Sequence, residues 1–150
     1  MGLEEKVMAE MKAAMKAKDS GALAALRAVK SAILLAKTEK GGGSGLAEAD
    51  EIQLVQKLVK QRKDSAAIYQ EQGREDLAGQ ELEQVAVIEK FLPEQLSEEE
   101  IEKVVIQTIA TLNASGMQDM GKVMGVVSKE LAGQADGKTI STIVKNKLSS

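Results

Sequence analysis

The chain has 150 residues, a formal net charge of −3, no cysteine, no histidine and one proline, Pro93. These absences exclude disulfides, thiolate metal sites, cysteine nucleophiles and the imidazole that most often serves as general base or metal ligand. Apolar residues make up 43% of the sequence, but Tyr69 and Phe91 are the only aromatics, so the core must be built from Ala, Leu, Ile, Val and Met. Scarce proline with abundant Ala, Glu, Lys, Gln and Leu predicts an all-α protein. No apolar run reaches membrane-spanning length, and the N-terminus lacks the apolar stretch of a signal peptide. A cytoplasmic protein without membrane association is expected.

Leu3, Val7, Met11 and Met15 recur every four residues and predict a first helix from about Leu3 to Lys18. The break at Lys18–Gly21 lets Ser20 cap a second helix, whose buried stripe is Leu23, Leu26, Val29, Ile33 and Leu34. That helix fades near Lys40, where GGGSG (Gly41–Gly45) reads as a flexible surface loop. A long helix from about Ala47 to Gln72 follows, with Ile52, Val55, Val59, Arg62, Ala66 and Tyr69 on one side and Gly73 at its end. A fourth helix, about Glu75 to Phe91, turns Leu77, Leu82, Val85, Ile88 and Leu92 inward.

Pro93 pushes Leu92 out of the helical region and marks a boundary. It separates an N-terminal domain of about four helices, residues 1–93, from a C-terminal three-helix domain, residues 94–150. Ser97-x-x-Glu100 is a capping box that opens the first C-terminal helix. The three helices are expected at about Glu98–Asn113, Met117–Leu131 and Gly137–Leu148.

Two stretches in this region, GMQDMGKV (Gly116–Val123) and GQADGKT (Gly133–Thr139), come within one change of the phosphate-loop pattern G-x-x-x-x-G-K-[ST]. Such a loop must follow a β-strand. The preceding segment instead places Ile101, Val104, Val105, Thr108, Ile109 and Leu112 on one helical stripe. The hydroxyl that would hold magnesium is replaced by Val123. A nucleotide loop therefore fails on context. Gly116 and Gly133 read as left-handed helix ends. Gly121 and Gly125 sit inside a helical pattern, where each costs about 1 kcal/mol relative to alanine. They call for a neighbouring backbone or a partner at close approach, beside the apolar stripe Met120, Val123, Met124, Val127 and Leu131.

Charge is unevenly spread. Residues 51–100 carry 6 basic and 12 acidic side chains, whereas residues 101–150 carry 6 basic and 4 acidic. Lys122 and Lys129 are seven residues apart and share a helix face, as do Lys138 and Lys145. Each pair could meet two points on a phosphate backbone, although any solvated helix also offers lysines at this spacing.

The segments KQRKDSAAIY (Lys60–Tyr69), GREDLA (Gly73–Ala78), FLPEQLSEEEI (Phe91–Ile101), DMGKVMG (Asp119–Gly125) and ADGKTIS (Ala135–Ser141) resemble the YqeY family of the GatB/YqeY group. The resemblance runs from the first helix to the last residue. It implies an N-terminal helical part and a C-terminal three-helix domain similar to the tail of the aspartyl/glutamyl-tRNA amidotransferase B subunit, which is implicated in holding tRNA. It also brings a label, carbon–nitrogen ligase with glutamine as amido donor. The residues do not supply that chemistry. There is no Cys or His, and GGGSG lacks the lysine and second serine of an amidase nucleophile array. Glu81 and Glu89 read as a solvated face.

The expectation is thus a non-catalytic protein, without cofactor or metal, that binds tRNA or belongs to a tRNA-amidotransferase-related complex. Lys122, Lys129, Lys138 and Lys145 would meet phosphates, with Gly121 and Gly125 permitting close approach. Lys60, Arg62 and Lys63 form a second basic patch. With two aromatics, recognition should be by shape and backbone rather than by base stacking. The alternatives are a protein–protein adaptor, using a Met-rich helix or the acidic fourth helix, and a true amidotransferase component.

Overall fold

The computed structural model describes residues 2–39 and 45–149. Among them are seven α-helices and no strand, so the fold is all-α. The chain divides into two compact units, Met1–Leu92 and Pro93–Ser150. The first holds α1 (Leu3–Ala17), α2 (Ser20–Glu39), α3 (Glu48–Glu71) and α4 (Glu75–Ile88), which tightens into a 3₁₀ turn at Glu89–Phe91. The second holds α5 (Glu98–Leu112), a 3₁₀ turn at Met117–Asp119, α6 (Met120–Glu130) and α7 (Gly137–Ser149). Gly41–Ser44 of the expected loop lie outside the described residues.

In the first unit Leu3, Val7, Ala14, Leu26, Val29, Ile33, Val55, Val59, Val85 and Ile88 form the core. Three expected inward residues face solvent instead: Met15, Leu34 and Leu82. The reason for Met15 is geometric. Each four-residue step overshoots a helical turn by about 40°, so Met15 stands about 120° from Leu3, while Ala14 returns to within about 20°. Alanine, too small to register as a periodic apolar mark, takes the buried place. Ala78 does the same on α4, where Leu82 is left outside.

The caps also differ from expectation. Asp19, not Ser20, begins α2: its Oδ1 accepts the Ala22 N–H at 3.0 Å, where a carboxylate also suits the positive end of the helix dipole. Asn113 (φ 52°), not Gly116, carries the left-handed end of α5, and the Ala114 N–H donates to the Ile109 carbonyl. Gly116 has φ +76° in the following turn. Gly73 closes α3 as expected, with Gly73 N–H on Gln70 O and Arg74 N–H on Tyr69 O, a Schellman pair. α1 ends by the same pair of bonds, but with Lys18 in the left-handed position at φ 55°. A lysine there carries the Cβ–carbonyl crowding that glycine avoids. Lys18→Gly is expected to stabilise the first unit by about 1 kcal/mol, read as a shift in the urea midpoint at unchanged slope.

The second unit packs Ile101, Val105, Val123, Val127, Leu131, Ile140, Val144 and Leu148 into its own core. The Ser97–Glu100 capping box is present in both directions, at 3.2 Å each way. Thr108 is buried, and its hydroxyl donates to the Val104 carbonyl at 2.8 Å. Two further bonds tie the entry of α5 to the turn between α6 and α7. Gln95 Nε2 donates to Gly133 O at 2.6 Å, and the Leu96 N–H donates to Gln134 O at 2.9 Å. The α6–α7 turn is thereby anchored at its middle.

Candidate nucleic-acid interface

The two Gly-Lys segments are helix starts. In DMGK, Asp119 Oδ2 accepts the Ser115 N–H at 2.8 Å and closes the turn that delivers α6. In ADGK, Asp136 Oδ1 accepts the Thr139 N–H at 3.2 Å, the N-cap bond of α7. Neither carboxylate was singled out from sequence, although an Asp just ahead of an apolar-periodic run is a recognised start signal. The buried face of each helix sets its rotation, and its lysine follows the Asp within three residues.

Those rotations sort the side chains. On α6, Val123 and Val127 are buried, and Lys122, Gly125 and Lys129 occupy the opposite half, with Gly121 at its flank. On α7, Ile140, Val144 and Leu148 are buried while Lys138 and Lys145 are exposed on one flank, about 100–120° from the buried stripe. Within each helix, then, the two lysines share the outward face. None of the four ammonium groups takes part in an ion pair or a hydrogen bond with another described residue. Lys147 differs, since it pairs with Glu102 on α5 at 2.6 Å.

The glycines correct one expectation. A Cβ placed on Gly121 or Gly125 would meet nothing within 4 Å, and both residues are exposed, so no neighbouring backbone of this unit requires them. The neighbouring-backbone reason inferred from sequence is therefore not met within this unit.

The cations of the second basic patch, Lys60, Arg62 and Lys63, all have partners. Lys60 is paired to Asp64 at 2.7 Å and Lys63 to Glu89 at 3.3 Å. Arg62 turns toward α4, its Nε on Gln84 Oε1 at 2.8 Å and its Nη1 on the Leu58 carbonyl at 3.1 Å. All three cations are engaged within their own unit. Glu89 is thereby tied to Lys63 rather than paired with Glu81. At the α3–α4 turn, the hydrogen bond between Arg74 and Asp76 holds the Asp76 carboxyl below its usual range and raises Arg74. No group of three or more acidic side chains that could hold a metal ion occurs among the described residues. Nor is any described helix long and apolar enough to cross a membrane.

A family model for Yqey-like proteins matches residues 4–148. Part of the chain is also similar to the E subunits of the glutamyl-tRNA(Gln) amidotransferases of two organisms. The identity is 47% over 57 residues for Thermococcus gammatolerans and 48% over 48 residues for Methanococcus maripaludis. These matches take in 35% and 32% of this chain but 9% and 8% of the relatives. The chain therefore spans less than a tenth of the length of the curated relatives it matches.

Proposed function

The chain belongs to the Yqey-like protein family, and from that premise we propose that it is a non-catalytic tRNA-binding or tRNA-amidotransferase accessory protein acting through the Pro93–Ser150 unit. The carrying observation is the outward face of α6 and α7, where Lys122, Lys129, Lys138 and Lys145 are all exposed and none is neutralised by a neighbouring carboxylate. Cations held by internal partners must break them to meet phosphate; these four need not. The relatives whose names specify glutamyl-tRNA(Gln) support an RNA rather than another polyanion. Their matched lengths are close to that of the second unit.

Both aromatics, Tyr69 and Phe91, belong to the first unit. The second unit consequently offers no ring on which an unstacked base could lie, and backbone contact to folded RNA is the mode its chemistry permits. Four phosphate contacts give a log–log salt slope of about −3 to −4, or roughly a hundredfold loss of affinity between about 50 and about 200 mM salt. Fluorescence titration of total tRNA across a salt series measures this. The variant with all four lysines changed to alanine should flatten the slope. Affinity unchanged by that substitution, or absent at low salt, would sink the proposal.

A further inference from the structure

On α7 the exposed lysines alternate with hydroxyl residues. Lys138, Thr142, Lys145 and Ser149 follow one another at four-, three- and four-residue steps, and all four are exposed. At about 100° per residue they fall within about 60° of one another, on one stripe about 16 Å long. No acidic residue occurs in Gly137–Ser149. Lys147, the lysine of α7 that pairs with Glu102, belongs to another side of the helix.

The hydroxyl protons on this stripe are already committed. Thr142 Oγ1 donates to the Lys138 carbonyl at 3.0 Å, and Ser149 Oγ donates to the Lys145 carbonyl at 2.8 Å. A carbonyl oxygen can only accept, so each hydroxyl uses its one proton inside the helix. What it can offer an outside group is acceptor capacity alone. A lysine ammonium is the reverse, with three donors and no acceptor. The stripe therefore reads donor, acceptor, donor, acceptor along its length.

That order selects among polyanions. Phosphodiester oxygens only accept, so they suit the lysines and not the two hydroxyls. A ribose 2′-hydroxyl has a proton to donate to Thr142 Oγ1 or Ser149 Oγ. RNA presents both groups in alternation along its backbone, whereas deoxyribose supplies no donor. The exposed stripe of α6 has the same lysine spacing without the acceptor: Val126 follows Lys122 by four residues and precedes Lys129 by three, as Thr142 does between Lys138 and Lys145. α6 can hold phosphate; α7 can hold phosphate and also distinguish the sugar.

Resting on the RNA reading above, we propose that Thr142 and Ser149 make the second unit specific for ribose. They accept hydrogen bonds from 2′-hydroxyl groups while Lys138 and Lys145 meet the neighbouring phosphates. The test compares a tRNA transcript with an analogue carrying fluorine in place of the 2′-hydroxyl at every pyrimidine, with thermal melting confirming that both are folded. Fluorine keeps the sugar pucker of RNA but has no proton to give. The full chain should bind the fluorinated transcript about tenfold more weakly, the loss expected for two hydrogen bonds. Thr142→Val with Ser149→Ala should bind the natural transcript about tenfold more weakly and no longer distinguish the two. Both positions are exposed, and circular dichroism checks that the helices are intact. The salt slope of that variant should stay at the parent's value, because no phosphate contact is removed, whereas Lys138→Ala with Lys145→Ala should make it shallower by about two. Equal affinity of the parent for the two transcripts, or discrimination unchanged in the hydroxyl variant, would overturn the proposal and leave the RNA reading standing. Absence of binding to either transcript at low salt would remove that reading, and this proposal with it.

Discussion

Replacing Ile140 by alanine is expected to unfold the Pro93–Ser150 unit and leave the Met1–Leu92 unit folded. Ile140 is almost completely buried and packs in a core made of Ile101, Val105, Val123, Val127, Val144 and their neighbours. That core has no member in common with the core of the first unit. An Ile-to-Ala change in a packed interior costs about 2–5 kcal/mol. A unit of this size, with no cysteine to form a disulfide, rarely holds more than about 3–5 kcal/mol in all. The two magnitudes are comparable, so one substitution should exhaust the stability of the unit. In an amide correlation spectrum, resonances from 94–149 should collapse toward random-coil positions while those of α1–α4 persist. Loss of both sets together would instead make the chain one cooperative block. Salt-sensitive tRNA binding should vanish with the second unit's resonances, because Lys122, Lys129, Lys138 and Lys145 keep a common direction on each helix only while α6 and α7 are formed.

The all-α fold was legible in the chain because its helices carry clear marks: apolar stripes in α3, α5 and α6, the Ser97–Glu100 box, and Gly73 at a left-handed end. What escaped were decisions made by small differences. Asp19 and Ser20 are both good caps and adjacent, and only the backbone geometry selects the carboxylate. Asn113 and Gly116 both tolerate positive φ, and the helix closes at the first of them. Ala14 and Ala78 are buried where longer apolar residues nearby were the natural choice, because rotation about the helix axis, not hydrophobicity, fixes which residue faces in. The candidate site was legible in part. Heptad spacing placed Lys122 with Lys129 and Lys138 with Lys145, since that needs only one helix at a time. It could not separate them from Lys60, Arg62 and Lys63, whose partners Asp64, Gln84 and Glu89 are defined by how α3 and α4 come together.

Gly121→Ala with Gly125→Ala should make the second unit more stable and its RNA binding weaker. Both glycines have helical backbone angles, being absent from the set with positive φ, and a Cβ at either meets no atom within 4 Å. Alanine therefore fits without strain, and the unfolded chain loses conformational freedom. The gain should be about 1 kcal/mol at Gly125, inside α6, and less at Gly121, in its first turn. In a marginal unit of this size that is a rise of several degrees in melting temperature. Stability alone would have favoured alanine at both places, which is why their presence asks for a functional reason. If an RNA backbone lies against the outward face of α6, two added methyl groups hold it away from Lys122 and Lys129. Affinity for tRNA should then fall by roughly tenfold, the equivalent of about 1.4 kcal/mol. The salt slope of about −3 to −4 should become shallower by about one for each phosphate that α6 no longer reaches. Opposite movements of stability and affinity in one variant cannot come from partial unfolding, which would lower both. A stabilised variant that binds tRNA as well as the parent would remove the glycines from the interface and leave the lysines to be judged alone.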